Sequence, residues 1–157
     1  MKAMTLTNPW CGLVASGIKL IENRPRKIVK QADFGKPFAL HASREIDDAV
    51  YSRIRTIAPE LDTDSEWYRL SRVTSAVIAV ATIDRELYGW TEDGIREHEA
   101  TLRMQLGDQY RWLFGPVGYV LRDVRALPAP VPCKGALGFW TLPEDIERKV
   151  LDQLVIG

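Results

Sequence analysis

Residues 8–24 read NPWCGLVASGIKLIENR, and this stretch predicts a short helix that leads directly into a charged strand. Asn8 is of a residue type that accepts hydrogen bonds from the free amides of a first helical turn. Pro9 suits the first helical position, where no amide donor is needed, and Gly17 suits the left-handed conformation that ends a helix. Four polar side chains then follow within six positions: Lys19, Glu22, Asn23 and Arg24. A short helix joined to so many polar groups favours a site over a core.

The composition predicts one domain over residues 1–157 in a globular protein. Apolar residues make up 46% of the chain, which is enough for a core and too many for disorder. The 21 basic and 21 acidic side chains balance, which argues against non-specific coating of nucleic acid, because that binding depends on many phosphate contacts. No apolar run reaches the roughly 18 to 20 residues that span a bilayer, so we expect a cytoplasmic protein without membrane contact. Cys11 and Cys133 favour reduced structural thiols, with a disulfide or a reactive thiol as alternatives.

The pattern of apolar runs and turn residues predicts an α+β fold. About five to six strands of uneven length are expected, at residues 3–6, 19–24, 37–42, 73–83, 118–127 and 135–140. Helices are expected near 47–57, near 97–106 and after Pro143, and residues 85–116 form a helical excursion from the core. Pro128, Pro130 and Pro132 predict an extended segment without sheet pairing. Several connections are too short for crossover helices, so we expect a small β-barrel with peripheral helices.

Three blocks of the sequence, taken in order, resemble one family. They are Asn8-Pro9-Trp10 with the segment 17–24, then Ala-Leu-His-Ala-Ser at 39–43, then Lys-Gly-Ala-Leu-Gly-Phe-Trp at 134–140. Together they are similar to the ASCH domain, which belongs to the PUA-like superfamily of small β-barrels. The resemblance implies a barrel with a cleft that contains the Gly-x-Lys motif, and binding to RNA or to nucleotides. It also implies two activities found or proposed in the family: removal of the acetyl group from acetylcytidine, and a nuclease reaction.

The resemblance to the amidohydrolase members suggests three catalytic candidates. Their pattern is a lysine, a threonine three positions later and a glutamate on a later strand. Lys19 matches the lysine, Glu22 stands in place of the threonine, and Asp84 maps to the later acid. A carboxylate acts as a base rather than as a hydroxyl nucleophile, and Lys19 is suited to clamp a phosphate or a developing oxyanion.

The geometry of a strand leaves the relation between these residues open. In a regular strand Lys19 and Glu22 point to opposite faces, so they share a site only if a bend or bulge intervenes. A Glu22–Arg24 ion pair on one strand face is the simpler structural alternative.

The ligand-binding candidates are polar or aromatic residues in or next to the first two blocks: Trp10, Asn23, Arg24, Arg26, His41, Ser43 and Arg44. Five basic residues lie between positions 19 and 30, where they either follow a phosphate backbone or form a solvated loop. Trp10 is placed to stack on a base, whereas Trp140 is more typical of a core residue. His41, within an apolar run, is more typical of a hydrogen-bonded core histidine than of a catalyst.

No metal or other cofactor is expected, because the chain has only His41 and His98 and no ligand spacing. The partners expected are RNA or a modified nucleoside or nucleotide, with a protein partner as a further option through the segment that holds Trp67, Trp90 and Trp112. Two hypotheses follow: a binding module for RNA or a nucleotide, and a hydrolase acting on a modified nucleoside or on single-stranded RNA.

Overall fold

The computed structural model describes residues 1–156 and contains six strands and six α-helices in that range. The strands are β1 (Lys2–Asn8), β2 (Ile21–Arg24), β3 (Pro37–Ile46), β4 (Ala76–Tyr88), β5 (Val117–Pro132) and β6 (Phe139–Thr141). The helices are α1 (Trp10–Ala15), α2 (Val50–Ile57), α3 (Glu66–Ser71), α4 (Glu92–Glu97), α5 (Glu99–Leu106) and α6 (Glu144–Ile156), with 3₁₀ helices at Gln31–Asp33 and Gly107–Trp112.

The six strands form one mixed sheet, in the order β2-β5-β4-β3-β1-β6. Strands β1 and β3 pair in parallel, and all other neighbours are antiparallel, which confirms the α+β class. Within residues 1–156 the edge strands β2 and β6 do not pair with each other, so hydrogen bonds do not close the sheet. A side chain bridges part of that opening, because Arg24 on β2 donates to the carbonyl of Thr5 on β1 at 2.9 Å.

The short first helix forms where the sequence predicts it and is fixed on both sides. The N-cap is Pro9, one residue later than the sequence predicts, but the Gly12 amide donates to Asn8 Oδ1 at 3.0 Å, so Asn8 still satisfies an amide of the first turn. A Cβ on Gly12 would lie 2.5 Å from the Ser71 amide nitrogen, so only glycine lets α1 approach α3 this closely. Gly17 has φ +79°, as a helix stop requires.

Strand β2 begins at Ile21, two residues later than the sequence predicts. The amides of Ile18 and Lys19 both donate to the carbonyl of Leu13, so these residues belong to the turn that closes α1. Lys19 therefore precedes the strand. The alternation of side chains between the two faces of a strand, which would point Lys19 and Glu22 in opposite directions, does not apply to it.

The prediction that the proline segment leaves the sheet is wrong. Strand β5 continues to Pro132, which pairs with Ala76 of β4. The pairing is irregular between Ala126 and Val131, and Pro128 and Pro130 lie in this bulge. A bulge tolerates residues that cannot donate a backbone hydrogen bond to the neighbouring strand. The strand can therefore continue through the proline segment to Pro132.

The segment between β4 and β5 carries α4, α5 and the second 3₁₀ helix. Trp112 at its end is fully buried, Trp67 on α3 is 3% exposed, and half-buried Trp90 packs edge-on against His98. These positions favour anchoring of the segment over a tryptophan surface for a partner. None of the helices within residues 1–156 has both the length and the apolar character that crossing a membrane requires.

Candidate functional site

A cleft of about 300 Å³ opens between the start of α1, strands β1 and β2, and helix α2. It brings together five of the residues singled out from the sequence: Trp10, Lys19, Glu22, Asn23 and Arg24. The rest of its lining was not foreseen, and comprises Thr5, Leu6, Thr7, Pro25, Arg53 and Phe114. We call this cavity the Lys19 cleft.

Lys19 lies at the bottom of the Lys19 cleft and is only 1% exposed. Its Nζ donates to the carbonyl of Ile21 and lies 3.6 Å from Glu22 Oε1. Burial lowers the pKa of Lys19 below its usual value, and the nearby Glu22 carboxylate opposes that change. The bend needed to place Lys19 beside Glu22 is the turn before β2.

Glu22 contacts two cations at once. Its Oε2 lies 3.0 Å from Arg24, while its Oε1 faces Lys19. Both arrangements that the sequence left open are therefore present together. The Nε atom of Arg24 is buried and has no hydrogen-bond partner within residues 1–156, although the same guanidinium binds Glu22 and the Thr5 carbonyl. A buried donor without a partner is uncommon, but Arg111 Nε and Trp112 Nε1, which lie outside the lining of the Lys19 cleft, are in the same state, so this atom alone does not identify a ligand position.

Two aromatic rings form one wall of the Lys19 cleft. The centroids of Trp10 and Phe114 are 5.7 Å apart. Lys19 Nζ lies 5.5 Å from the Trp10 ring, and the Arg53 guanidinium lies 4.2 Å from the Phe114 ring. Both cations are therefore within the range of attraction to a ring face. The wall combines stacking surface with positive charge.

Asn23 holds this wall in place rather than presenting its amide to the cleft. Its Oδ1 accepts hydrogen bonds from the amides of Phe114 at 2.8 Å and Gly115 at 3.1 Å. Its Nδ2 donates to the carbonyl of Trp112 at 2.9 Å. Asn23 thereby connects β2 to the chain that enters β5, and it fixes the position of Phe114.

Asp84 and Arg26 are not among the residues that line the Lys19 cleft. Asp84 is exposed and lies 3.4 Å from Arg122. The pairing of β4 with β5 shifts register between Ile83 and Arg85, and such a bulge re-aims the side chain within it. Arg26 is exposed in the loop after β2. Of the three catalytic candidates, the fold brings Lys19 and Glu22 together and leaves Asp84 elsewhere.

His41, Ser43 and Arg44 line a second cavity, of about 340 Å³. It shares Thr5 with the Lys19 cleft. Ser43 Oγ donates to the Glu45 carbonyl at 2.9 Å, and the exposed Arg44 lies 3.6 Å from Glu45.

His41 is 1% exposed and is held by two hydrogen bonds. Its Nε2 is 2.8 Å from the Cys133 carbonyl, which can only accept, so Nε2 carries the proton. Its Nδ1 faces Thr5 Oγ1 at 3.3 Å, and Thr5 Oγ1 accepts from Trp140 Nε1 at 3.1 Å. Burial lowers the pKa of His41. This is the environment of a satisfied core histidine.

Two residues of the Lys19 cleft that the sequence patterns did not indicate, Arg53 and Phe114, lie far from Lys19 along the chain. Arg53 lies on the exposed side of α2, whose buried positions are Tyr51 and Ile54, and an exposed arginine gives no local signal of a cleft. Phe114 follows a 3₁₀ helix in the segment before β5. Within residues 1–156, no three His, Cys, Asp or Glu side chains are grouped so that they could hold a metal ion.

Of the comparisons with known proteins, only the comparison of structures finds a match. No family model and no curated relative matches the sequence. A crystal structure of ASCH from Zymomonas mobilis matches with a TM-score of 0.56 at 14% identity, and the match covers 96% of this chain and 93% of that chain. A Tyr-to-Phe variant of the Zymomonas mobilis protein matches with a TM-score of 0.55 at 15% identity, over 96% of both chains. The chain therefore has the fold of an ASCH domain, as the three sequence blocks predict.

Proposed function

We propose that the Lys19 cleft binds a nucleotide, either free or as one unit of single-stranded RNA. The observation that carries this proposal is the meeting, in one cavity, of two aromatic rings and three cations with a single carboxylate. Aromatic rings stack on bases, and lysine and arginine bind phosphate. The volume is at the lower end of the range for ligand pockets, which suits one nucleotide better than a longer enclosed segment.

Two local details support the same ligand. The Arg24 side chain lines the cleft and is 20% exposed, so part of its charged side chain is accessible to a phosphate oxygen. The Trp10–Phe114 wall is fixed before any ligand arrives, because Asn23 binds the backbone at Phe114. A pre-formed wall reduces the entropy that binding costs.

A hydrolase acting on a modified nucleoside, or on single-stranded RNA, is the second candidate. It is favoured by the buried Lys19 amine 3.6 Å from the Glu22 carboxylate, since Lys19 would stabilise a developing oxyanion and Glu22 would activate a water. Both oxygens of Glu22 are engaged, by Lys19 and by Arg24. Each of these oxygens keeps a further lone pair that a water can reach, so the ion pairs alone do not exclude hydrolysis; the aromatic wall and the excess of cations over carboxylates in the cleft are what favour binding.

One mass-spectrometry experiment separates the two candidates. Excess protein is incubated with normal and modified nucleosides (acetylcytidine among them), nucleotides and RNA hexamers, and both the solution and the protein-retained fraction are analysed. We expect retention of nucleotides or hexamers without conversion, and loss of retention in Lys19→Met. Lys149→Met, at an exposed position of α6, is the matched control. Conversion that Lys19→Met abolishes would establish the hydrolase instead, and neither retention nor conversion would refute both.

A further inference from the structure

Arg53 stands at the boundary of two cavities. The Lys19 cleft and a neighbouring cavity of about 400 Å³ share only Arg53 and Phe114 among their lining residues. The remaining residues of the second cavity come from α4 and the segment before β5: Glu92, Ile95, Arg96 and Leu113. A ligand that leaves the Lys19 cleft on this side passes directly over the Arg53–Phe114 pair.

Arg53 differs from the other cations nearby because it has no carboxylate partner within residues 1–156. Lys19 and Arg24 both face Glu22, and Arg96 pairs with Glu92 and Asp93. Over residues 1–156, no carboxylate lies within ion-pair distance of Arg53; its described contacts are with the rings of Phe114, at 4.2 Å, and Trp10, at 5.7 Å.

Cation–π contact with Phe114, at 4.2 Å, positions the guanidinium without using its N–H donors. A planar guanidinium presents five donors in a geometry that matches phosphate. The rings therefore orient Arg53 while leaving the edge of the guanidinium available to an anion. Neutral ligands would leave this donor set facing only water.

We propose that Arg53 is a specificity-determining residue that binds a phosphate of the ligand at this boundary, so that the cleft selects phosphorylated nucleotides over neutral nucleosides. The inference rests on the proposed nucleotide-binding function and names the chemical class of its ligand. The phosphate is either the terminal group of a mononucleotide or an internal phosphodiester whose chain continues over Phe114 into the second cavity. Charge-assisted hydrogen bonds to arginine correspond to about a 10- to 100-fold gain in affinity.

Equilibrium binding measurements test the proposal on wild-type protein, Arg53→Ala, Arg53→Lys and Arg55→Ala. Arg55 is an exposed arginine on the same helix that does not line the Lys19 cleft, so it is the matched control. The probes are the four ribonucleosides, their 3′- and 5′-monophosphates, and random RNA hexamers. Thermal unfolding of each variant checks that the fold is retained, which we expect because Arg53 is exposed.

We expect wild-type protein and Arg55→Ala to prefer a phosphorylated probe over its nucleoside by about 10- to 100-fold. Arg53→Ala loses this preference, because its affinity for phosphorylated probes falls by more than its affinity for nucleosides, and Arg53→Lys keeps part of it. Tighter binding of hexamers than of monophosphates identifies an internal phosphodiester, and equal binding identifies a terminal phosphate.

Two results distinguish failure of this inference from failure of the proposed function. If nucleosides bind as tightly as their phosphates, or if Arg53→Ala keeps the preference, the role of Arg53 is wrong while nucleotide binding by the cleft stands. If no probe binds to wild-type protein, the nucleotide-binding function itself is wrong.

Discussion

Replacing Glu22 by glutamine tests whether this carboxylate compensates the buried charge of Lys19. Glutamine keeps the shape of the side chain and removes its charge, leaving Lys19, at 1% exposure, without a counter-charge. Loss of one partner of a buried ion pair costs about 3–5 kcal/mol. Lys19 keeps its bond to Ile21 and Arg24 keeps its bond to Thr5, so we expect the low end, about 3 kcal/mol. For a chain of this length that is a fall in Tm of about 6–12 °C.

The partner variant should behave differently. Lys19→Met replaces a buried amine by an apolar chain of similar length, and Glu22 keeps Arg24, so we expect a change of no more than about 1 kcal/mol. The double variant should then be more stable than Glu22→Gln alone, because no uncompensated amine remains.

The assay is urea unfolding followed by circular dichroism, with differential scanning calorimetry for Tm. Glu99→Gln is the control, because Glu99 pairs with Arg103 one helical turn away at an exposed position, where a pair contributes about 0.3–0.5 kcal/mol. The account is refuted if Glu22→Gln costs no more than Glu99→Gln, or if the double variant is less stable than Glu22→Gln.

Three further predictions concern the elements that position the cleft. Asn23→Ala removes three hydrogen bonds at Phe114, Gly115 and Trp112; we expect a loss of about 2–3 kcal/mol in unfolding experiments and weaker ligand binding, and an unchanged free energy of unfolding would contradict this role of Asn23. Gly12→Ala places a Cβ against the α3 backbone, and we expect a loss of about 3 kcal/mol; an unchanged Tm would contradict the close packing of α1 on α3. The lowered pKa of His41 means that the unfolded chain binds the extra proton as the pH falls below about 6.5, so stability should decrease by up to about 1.4 kcal/mol per pH unit there. His41→Gln should flatten that part of the pH profile of the unfolding free energy, and an identical slope in both proteins would exclude His41 as its source.

The part of the site that could be predicted from sequence lies in one continuous segment. Trp10, Lys19, Glu22 and Arg24 are set by a local helix, its glycine stop and the strand that follows, and local signals in the sequence specify all three. The turn that brings Lys19 beside Glu22 follows directly from the end of the helix at Gly17, so it is also a local feature of the sequence. The sequence does not show where β2 begins. The amides of Ile18 and Lys19 bond to the Leu13 carbonyl of the helix and not to a neighbouring strand.

The rest of the site depends on contacts between distant elements. Arg53 and Phe114 reach the cleft because α2 and the end of the 3₁₀ segment pack beside α1. The residues next to them in sequence do not indicate this packing. Asp84 lies outside the lining of the Lys19 cleft for a related reason. A bulge in β4, which is a property of strand pairing rather than of composition, turns it towards Arg122.

The most direct test of nucleotide binding in the Lys19 cleft is to locate a bound ligand by photocrosslinking. Single-stranded RNA hexamers and a mononucleotide, both containing 4-thiouridine, are irradiated with the protein, and crosslinked peptides are identified by mass spectrometry. The account predicts crosslinks on the peptides that contain Trp10 and Phe114, reduced in Lys19→Met and unchanged in Lys149→Met. Crosslinks confined to other surfaces, such as the separate groove between α2 and α3 that Tyr68 lines, or no crosslinks at all, would contradict it.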